Sequence, residues 1–172
     1  MLTLNKKNNE DDDSIDFLTT LLIRYPEVCS VYYSANGSLL QLQFILQEPL
    51  EKKVQAQFKE EITNCILTYI YLAGLGEPQH CEIECLDMPE IGVIKITRDT
   101  ATLTQKELAL IMNYLQDRFA DNLVADDLNI PQEDLPEHDD LICFMLNKLK
   151  MRDIKFNLIA LRDEGRVFVY RR

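Results

Sequence analysis

Cysteine, histidine and clustered carboxylates are the side chains here with chemistry to offer, and their spacing decides what they can do. His80-Cys81 and Cys85 come nearest to a metal-ligand set. They lie in a segment of alternating apolar and polar residues, which reads as a strand. In a strand Cys81 and Cys85 stand about 13 Å apart and His80 points to the opposite side. No CxxC pair occurs and a fourth ligand would have to come from far away, so the thiols are read as core residues and no zinc is expected. Asp126, Asp127, Asn129 and Glu133 invite a calcium reading, but their spacing does not fit a calcium loop and no glycine supplies its sharp turn. His138, between Glu137 and Asp139, is accounted for by a helix start rather than by general-base work. Glu82 and Glu84 share one strand face, where two acids serve to blunt sheet-to-sheet association. The chain has no nucleophile elbow, phosphate loop, dinucleotide fingerprint or HExxH motif, and only five glycines. No catalytic residue, metal or cofactor is assigned.

The constellation with most functional colour closes the chain. Arg162, Arg166, Arg171 and Arg172 accompany Phe168 and Tyr170, a mixture of arginine and aromatics on strands that matches single-stranded RNA platforms in composition. It lacks the consensus sequence of an RNA-recognition motif. The plainer expectation is Phe168 packed into the core, with the arginines at the rim as a patch for a polyanion or an acidic partner.

Positioning falls to the stretch from Leu50 to Leu75. Its first half is amphipathic, with Val54, Phe58 and Ile62 at helical spacing among charged residues. From Cys65 the polar face almost disappears: Cys65, Ile66, Leu67, Tyr69, Ile70, Tyr71, Leu72 and Ala73 leave only Thr68 for water. Gly74 and Gly76 supply a left-handed stop. A helix apolar all round must be enclosed by its own domain or by a second chain. Ile66, Tyr69, Ile70 and Tyr71 are therefore the candidate surface for self-association, as a homodimer, or for a protein partner.

The remaining elements follow in order. Residues 1–13 are polar and acidic and read as a disordered tail. Ser14 is placed to cap a helix ending before Pro26. Val28 to Tyr33 and Leu39 to Gln47 are strands joined at Asn36-Gly37, the second with Leu40, Leu42, Phe44 and Leu46 on one face. Residues 81–85 and 91–98 form a second hairpin. Thr104 and Glu107 predict a capping box, with Leu103 and Leu108 as its staple, ahead of a helix burying Leu108, Ile111, Met112, Leu115 and Phe119. An acidic connector covers 121–134. Asp134 and Glu137 predict another capping box, for a helix burying Leu141, Ile142, Met145 and Leu149. Phe156 to Arg162 and Arg166 to Arg171 then flank a turn at Asp163-Glu164-Gly165. The resulting organisation is an α-ββα-ββα core over 14–120, with 135–172 adding a helix and hairpin to the same domain. The fold class is α+β: a two-layer sandwich of about six mostly antiparallel strands in local hairpins, with about four helices mainly on one face. The other face carries Gln41, Gln43, Glu82, Glu84 and part of the last hairpin.

With 172 residues the chain suits one domain that buries roughly 70% of its unfolded surface. Its net charge of −11 argues against nucleic acid and anionic membranes as general partners. That charge is uneven. Nine acids lie between Asp117 and Asp140 with Arg118 the only Lys or Arg, whereas eight basic residues lie between Lys148 and Arg172. The two stretches are expected to neutralise each other in part. An odd cysteine count, no secretory signal and no 18-residue apolar segment point to a reducing cytoplasm. The reading is a non-catalytic protein acting through self-association or a protein partner. An RNA-binding module using the basic hairpin, or a small enzyme with an unrecognised site, are the alternatives.

Overall fold

A computed structural model describes residues 9–127 and 130–172, with side chains from residue 12 onward. The elements are α1 (Asn9–Arg24), β1 (Ser30–Ser34), β2 (Leu39–Leu46), α2 (Lys52–Leu72), β3 (Cys81–Asp87), β4 (Gly92–Asp99), α3 (Gln105–Phe119), α4 (Leu135–Lys150), β5 (Leu158–Asp163) and β6 (Arg166–Arg171). Short 3-10 turns at Ala120–Asn122 and Gln132–Asp134 form the two ends of the acidic connector. Residues 1–8 of the expected tail, and Asn129 of the calcium reading, lie outside the described residues. Asn9–Asp13, also assigned to that tail, are instead the first turns of α1, and Ser14 is a buried residue within the helix rather than its cap.

The six strands form one antiparallel sheet in the order β3-β4-β2-β1-β5-β6. Three hairpins are local, as expected. They are welded by two long-range pairings, β2 with β4 and β1 with β5, which local turn signals do not specify. The fold is α+β, with the helices on one face of this sheet. The core runs through Val31 and Tyr33 of β1, Leu40, Leu42, Phe44 and Leu46 of β2, Ile94 and Ile96 of β4, and Leu158 and Ala160 of β5. α2 packs on α3 and β3, while α1 packs on α4, β5 and β6. Strand alternation puts Gln41, Gln43, Glu82 and Glu84 on the uncovered face, where Gln41 Nε2 donates to Thr97 Oγ1 at 3.0 Å.

Local chemistry explains several boundaries. β5 and β6 join through Glu164 and Gly165, with φ of 46° and 72°, a two-residue turn whose handedness suits twisted strands. At α3 the Thr104 hydroxyl accepts from the Glu107 N–H at 3.2 Å, so half of the predicted capping box forms. The Glu107 carboxylate turns inward instead, to Arg98. The box predicted at Asp134 does not form: Asp134 is already helical in conformation and makes no side-chain cap bond. α4 also faces differently from expectation. Ile142, Leu146 and Leu149 are its buried residues, while Leu141 is exposed.

Candidate functional site

The four residues expected to form an association surface are split by the fold. Phe58, Ile62, Ile66 and Ile70, four residues apart, form one buried stripe of α2. Ile66 and Ile70 are thus enclosed by their own domain and form no outward surface. Tyr69 is half-buried, packs against the core, and its hydroxyl shares a 2.8 Å hydrogen bond with Thr104 Oγ1. Tyr71 alone of the four faces outward, at 82% exposure. Beside it stand Leu67 at 40%, Leu72 at 77% and Leu75 at 36%. The enclosure expected for the whole apolar half of α2 therefore covers one side only.

The chain's own turn chemistry holds this apolar end in place. The Gly74 N–H donates to Tyr71 O at 3.1 Å and the Leu75 N–H to Ile70 O at 3.2 Å, with Gly74 at φ 68°. That double bond pattern is a Schellman stop, which fixes Leu75 next to the last helical turn. A groove of ≈ 660 Å³ between Leu67, Tyr71 and Pro78 runs along one flank. A second, of ≈ 460 Å³, lies on the other flank between Cys65, Tyr69, Leu72 and Leu110. The lining of both is predominantly carbon, so their chemistry is that of apolar contact rather than of reaction.

The basic hairpin is also divided. Arg162 points to the helix side, where its side chain is 7% exposed. Its Nη2 donates to the carbonyls of Leu22, in the last turn of α1, and of Tyr25 just beyond it, and its Nε lies 3.6 Å from Asp126. It is a structural clamp and leaves the proposed polyanion patch. Through the Asp126–Arg162 ion pair the acidic connector meets this hairpin. Arg171 also faces the helix side, stacked on the Phe156 ring at 4.0 Å. Arg166, Phe168 and Tyr170 alternate onto the uncovered face, with Arg172 following in the same phase. Phe168 and Tyr170 are 38% and 52% exposed, so the expected burial of Phe168 is overturned. The core-side places on β6 belong to Val167 and Val169.

Sequence reasoning missed the most polar part of the interior. Arg98, Asp99 and Glu107 are each no more than 1% exposed. Arg98 Nε and Nη2 donate to the two Glu107 carboxylate oxygens at 2.6 and 3.0 Å, Nη1 to Asp99 Oδ1 at 2.5 Å and His80 O at 2.8 Å, and Nη2 also to Thr102 Oγ1 at 2.9 Å. Every guanidinium hydrogen has an acceptor. Burial raises the Glu107 carboxyl above its ordinary range despite Arg98 beside it. Burial would raise Asp99 too, but the His80 amide, Thr102 and Arg98 outweigh it and hold that carboxyl low. Sealed in this way, the cluster ties the end of β4 to the start of α3 and offers nothing to a substrate.

The thiols are free, and Cys81 and Cys85 pack against the core as expected. Cys65 and Cys143 are exposed, although both sit in apolar helical patterns that would bury them. Cys29, Cys81 and Cys85 are half-buried, and burial raises each thiol above its ordinary pKa, which weakens them as nucleophiles. His80 meets Glu82 at 3.3 Å, and among the described residues no three His, Cys, Asp or Glu groups converge as a metal site. No described helix is long and apolar enough to cross a membrane. No family model, curated protein or solved structure matches this chain.

Proposed function

We propose that the protein is non-catalytic and works by protein association, docking a protein surface on the exposed end of α2. The observation that carries this reading is the set of exposed apolar side chains Leu67, Tyr71, Leu72 and Leu75 at the end of α2, with a carbon-lined groove on each flank and a helix stop that fixes the end of the element. Large exposed apolar patches lose contact with water when a partner covers them, and isolated surface leucines do not form such a group. The five free thiols support placing the protein in the cytoplasm. A photo-crosslinking amino acid at position 71, introduced in cells, should yield one dominant protein adduct, with a control at the exposed Glu60 yielding none. An adduct of twice the chain's mass assigns the surface to self-association, and any other discrete mass to a different partner. Absence of an adduct at position 71 overturns the reading.

A second reading keeps the RNA platform, because Phe168 and Tyr170 are exposed beside Arg166 on an uncovered sheet face. The net charge of −11 opposes it. Affinity for mixed-sequence single-stranded RNA should be weaker than about 10 μM at physiological salt, far below specific recognition. Tighter, salt-sensitive binding that disappears in an Arg166→Glu variant reverses the ranking.

A further inference from the structure

The sheet ends in two unlike edges. At one end β3 presents Glu82 and Glu84 on the uncovered face, with Asp87 beside Lys52 and Gln55 of α2. A β3 strand paired with its own copy would set carboxylate against carboxylate, and such charges are how edges are kept single. At the other end β6 pairs with β5 and with no other described strand. The Arg172 N–H donates inward to Asn157 O at 2.9 Å. By alternation the peptide groups of Arg166, Phe168 and Tyr170 also face β5, while those of Val167 and Val169 face outward. β6 contains no proline and no bulge, its register running unbroken from Asp163↔Arg166 to Leu158↔Arg171. RVFVYR is an aromatic and β-branched strand whose charges stand at its two ends, Arg166 and Arg171, so that Val167 to Tyr170 carry no charge, proline or bulge to protect the edge between them.

Its sequence also selects one register against itself. Antiparallel pairing centred on Phe168 sets Phe168 opposite Phe168 and Arg166 opposite Tyr170 on the uncovered face, with Val167 opposite Val169 on the helix side. The outward peptide groups of Val167 and Val169 then exchange hydrogen bonds across the axis. The Phe168 pair is of the non-hydrogen-bonded kind, in which side chains stand closest. Centring on Val169 instead sets Arg166 opposite Arg172, two like charges. Centring on Val167 draws in Glu164 and Gly165, whose positive φ values are not those of a strand. We infer that the outer edge of β6 is an isologous interface at which a second copy of this chain adds its own β6, antiparallel, with Phe168 on the twofold axis. The occupant is a second copy because the strand complements itself in one register, and a twofold pairing closes while head-to-tail pairing does not. This interface is separate from the α2 surface.

Mild oxidation of variants with one added cysteine, in a Cys65→Ser, Cys143→Ser background that keeps only the half-buried Cys29, Cys81 and Cys85, reads the register. Phe168→Cys should crosslink to itself, since directly opposed residues of such a pair lie within disulfide reach, whereas Val169→Cys and Tyr170→Cys should not. In sedimentation velocity the wild type should shift to a dimer as concentration rises. Val169→Pro, which removes an outward N–H and leaves the β5 ladder intact, should stay monomeric. Phe168→Lys, placing two ammonium groups on the axis, should do the same if the proline variant fails to fold. A Tyr71→Glu, Leu72→Glu variant should dimerise as the wild type does, which separates this interface from α2. A wild type that remains monomeric at the highest loading overturns the inference. So does crosslinking through residue 169 in place of 168, or growth into ladders larger than a dimer.

Discussion

Arg98 is a buried cation on which two buried carboxylates depend. Truncation to Met would leave Asp99 and Glu107 sealed without their cation, and orphaning a buried charge costs about 3–5 kcal/mol. Arg98→Met should lose that much in denaturant unfolding. Combining it with Glu107→Leu should recover part of the loss, because the largest orphan is then gone. A loss below about 1 kcal/mol for Arg98→Met would show the cluster to be incidental. The acid limb isolates Asp99. Its carboxyl is lower in the folded chain than its ordinary value, so its contribution is complete above that value and disappears as pH falls through the folded one. Glu107 runs the other way: its raised carboxyl favours the fold most where it is protonated, and that contribution declines as pH rises. Asp99→Asn should therefore flatten the loss of stability between neutral and acid pH, measured as midpoints against pH. An unchanged slope would remove Asp99 from the account. This cluster left little trace in the sequence. Arg98 ends a strand and Glu107 looked committed to a capping box, and only the approach of α3 to β4 brings them together.

At the scale of an element, α2 separates what periodicity tells from what it hides. α3 was legible: its stripe Leu108, Ile111, Met112, Leu115 and Phe119 is the buried apolar set, joined by Glu107, because its remaining positions are mostly polar and fix the phase. In α2 the polar face disappears after Cys65, and with it the visible boundary between inside and outside. The phase survived in its first half, since Phe58 and Ile62 lead by fours to Ile66 and Ile70. Adjacent positions should then differ sharply. Ile70→Ala, in the core, should cost about 2–5 kcal/mol. Tyr71→Ala, at 82% exposure, should stay within about 0.5 kcal/mol. Urea midpoints for the two variants settle the orientation of the helix. Equal losses would mean that Tyr71 is covered by another part of the chain.

Across the whole molecule, the hairpins were readable and their assembly was not, since Asn36-Gly37 and Glu164-Gly165 act locally while β2–β4 and β1–β5 join distant segments. Those long-range pairings bring the two ends of the chain into one core. Phe17, Leu18, Leu21 and Leu22 of α1 are buried in the same cluster as Ile142, Leu146, Leu149, Leu158 and Ala160. Ion pairs follow the same seam: Asp13 meets Arg152 at 2.7 Å and Lys148 at 3.4 Å, and Arg24 meets Asp139 at 2.8 Å. These pairs are only half-buried and still reached by water, so they contribute little and the apolar contact dominates. Arg162 adds the clamp on the carbonyls of Leu22 and Tyr25 at the end of α1, and β5 supplies the long edge against which β1 is paired. A chain ending at residue 150 would keep α4 but lose β5, β6 and the clamp. The core side of β1 and much of α1 would then face water, beyond what a marginally stable domain can lose. Such a chain should give neither a cooperative urea transition nor dispersed amide resonances, while the full chain unfolds in a single step by fluorescence and circular dichroism alike. A cooperative transition in the shortened chain would instead make residues 151–172 an appendage on a core that folds without them.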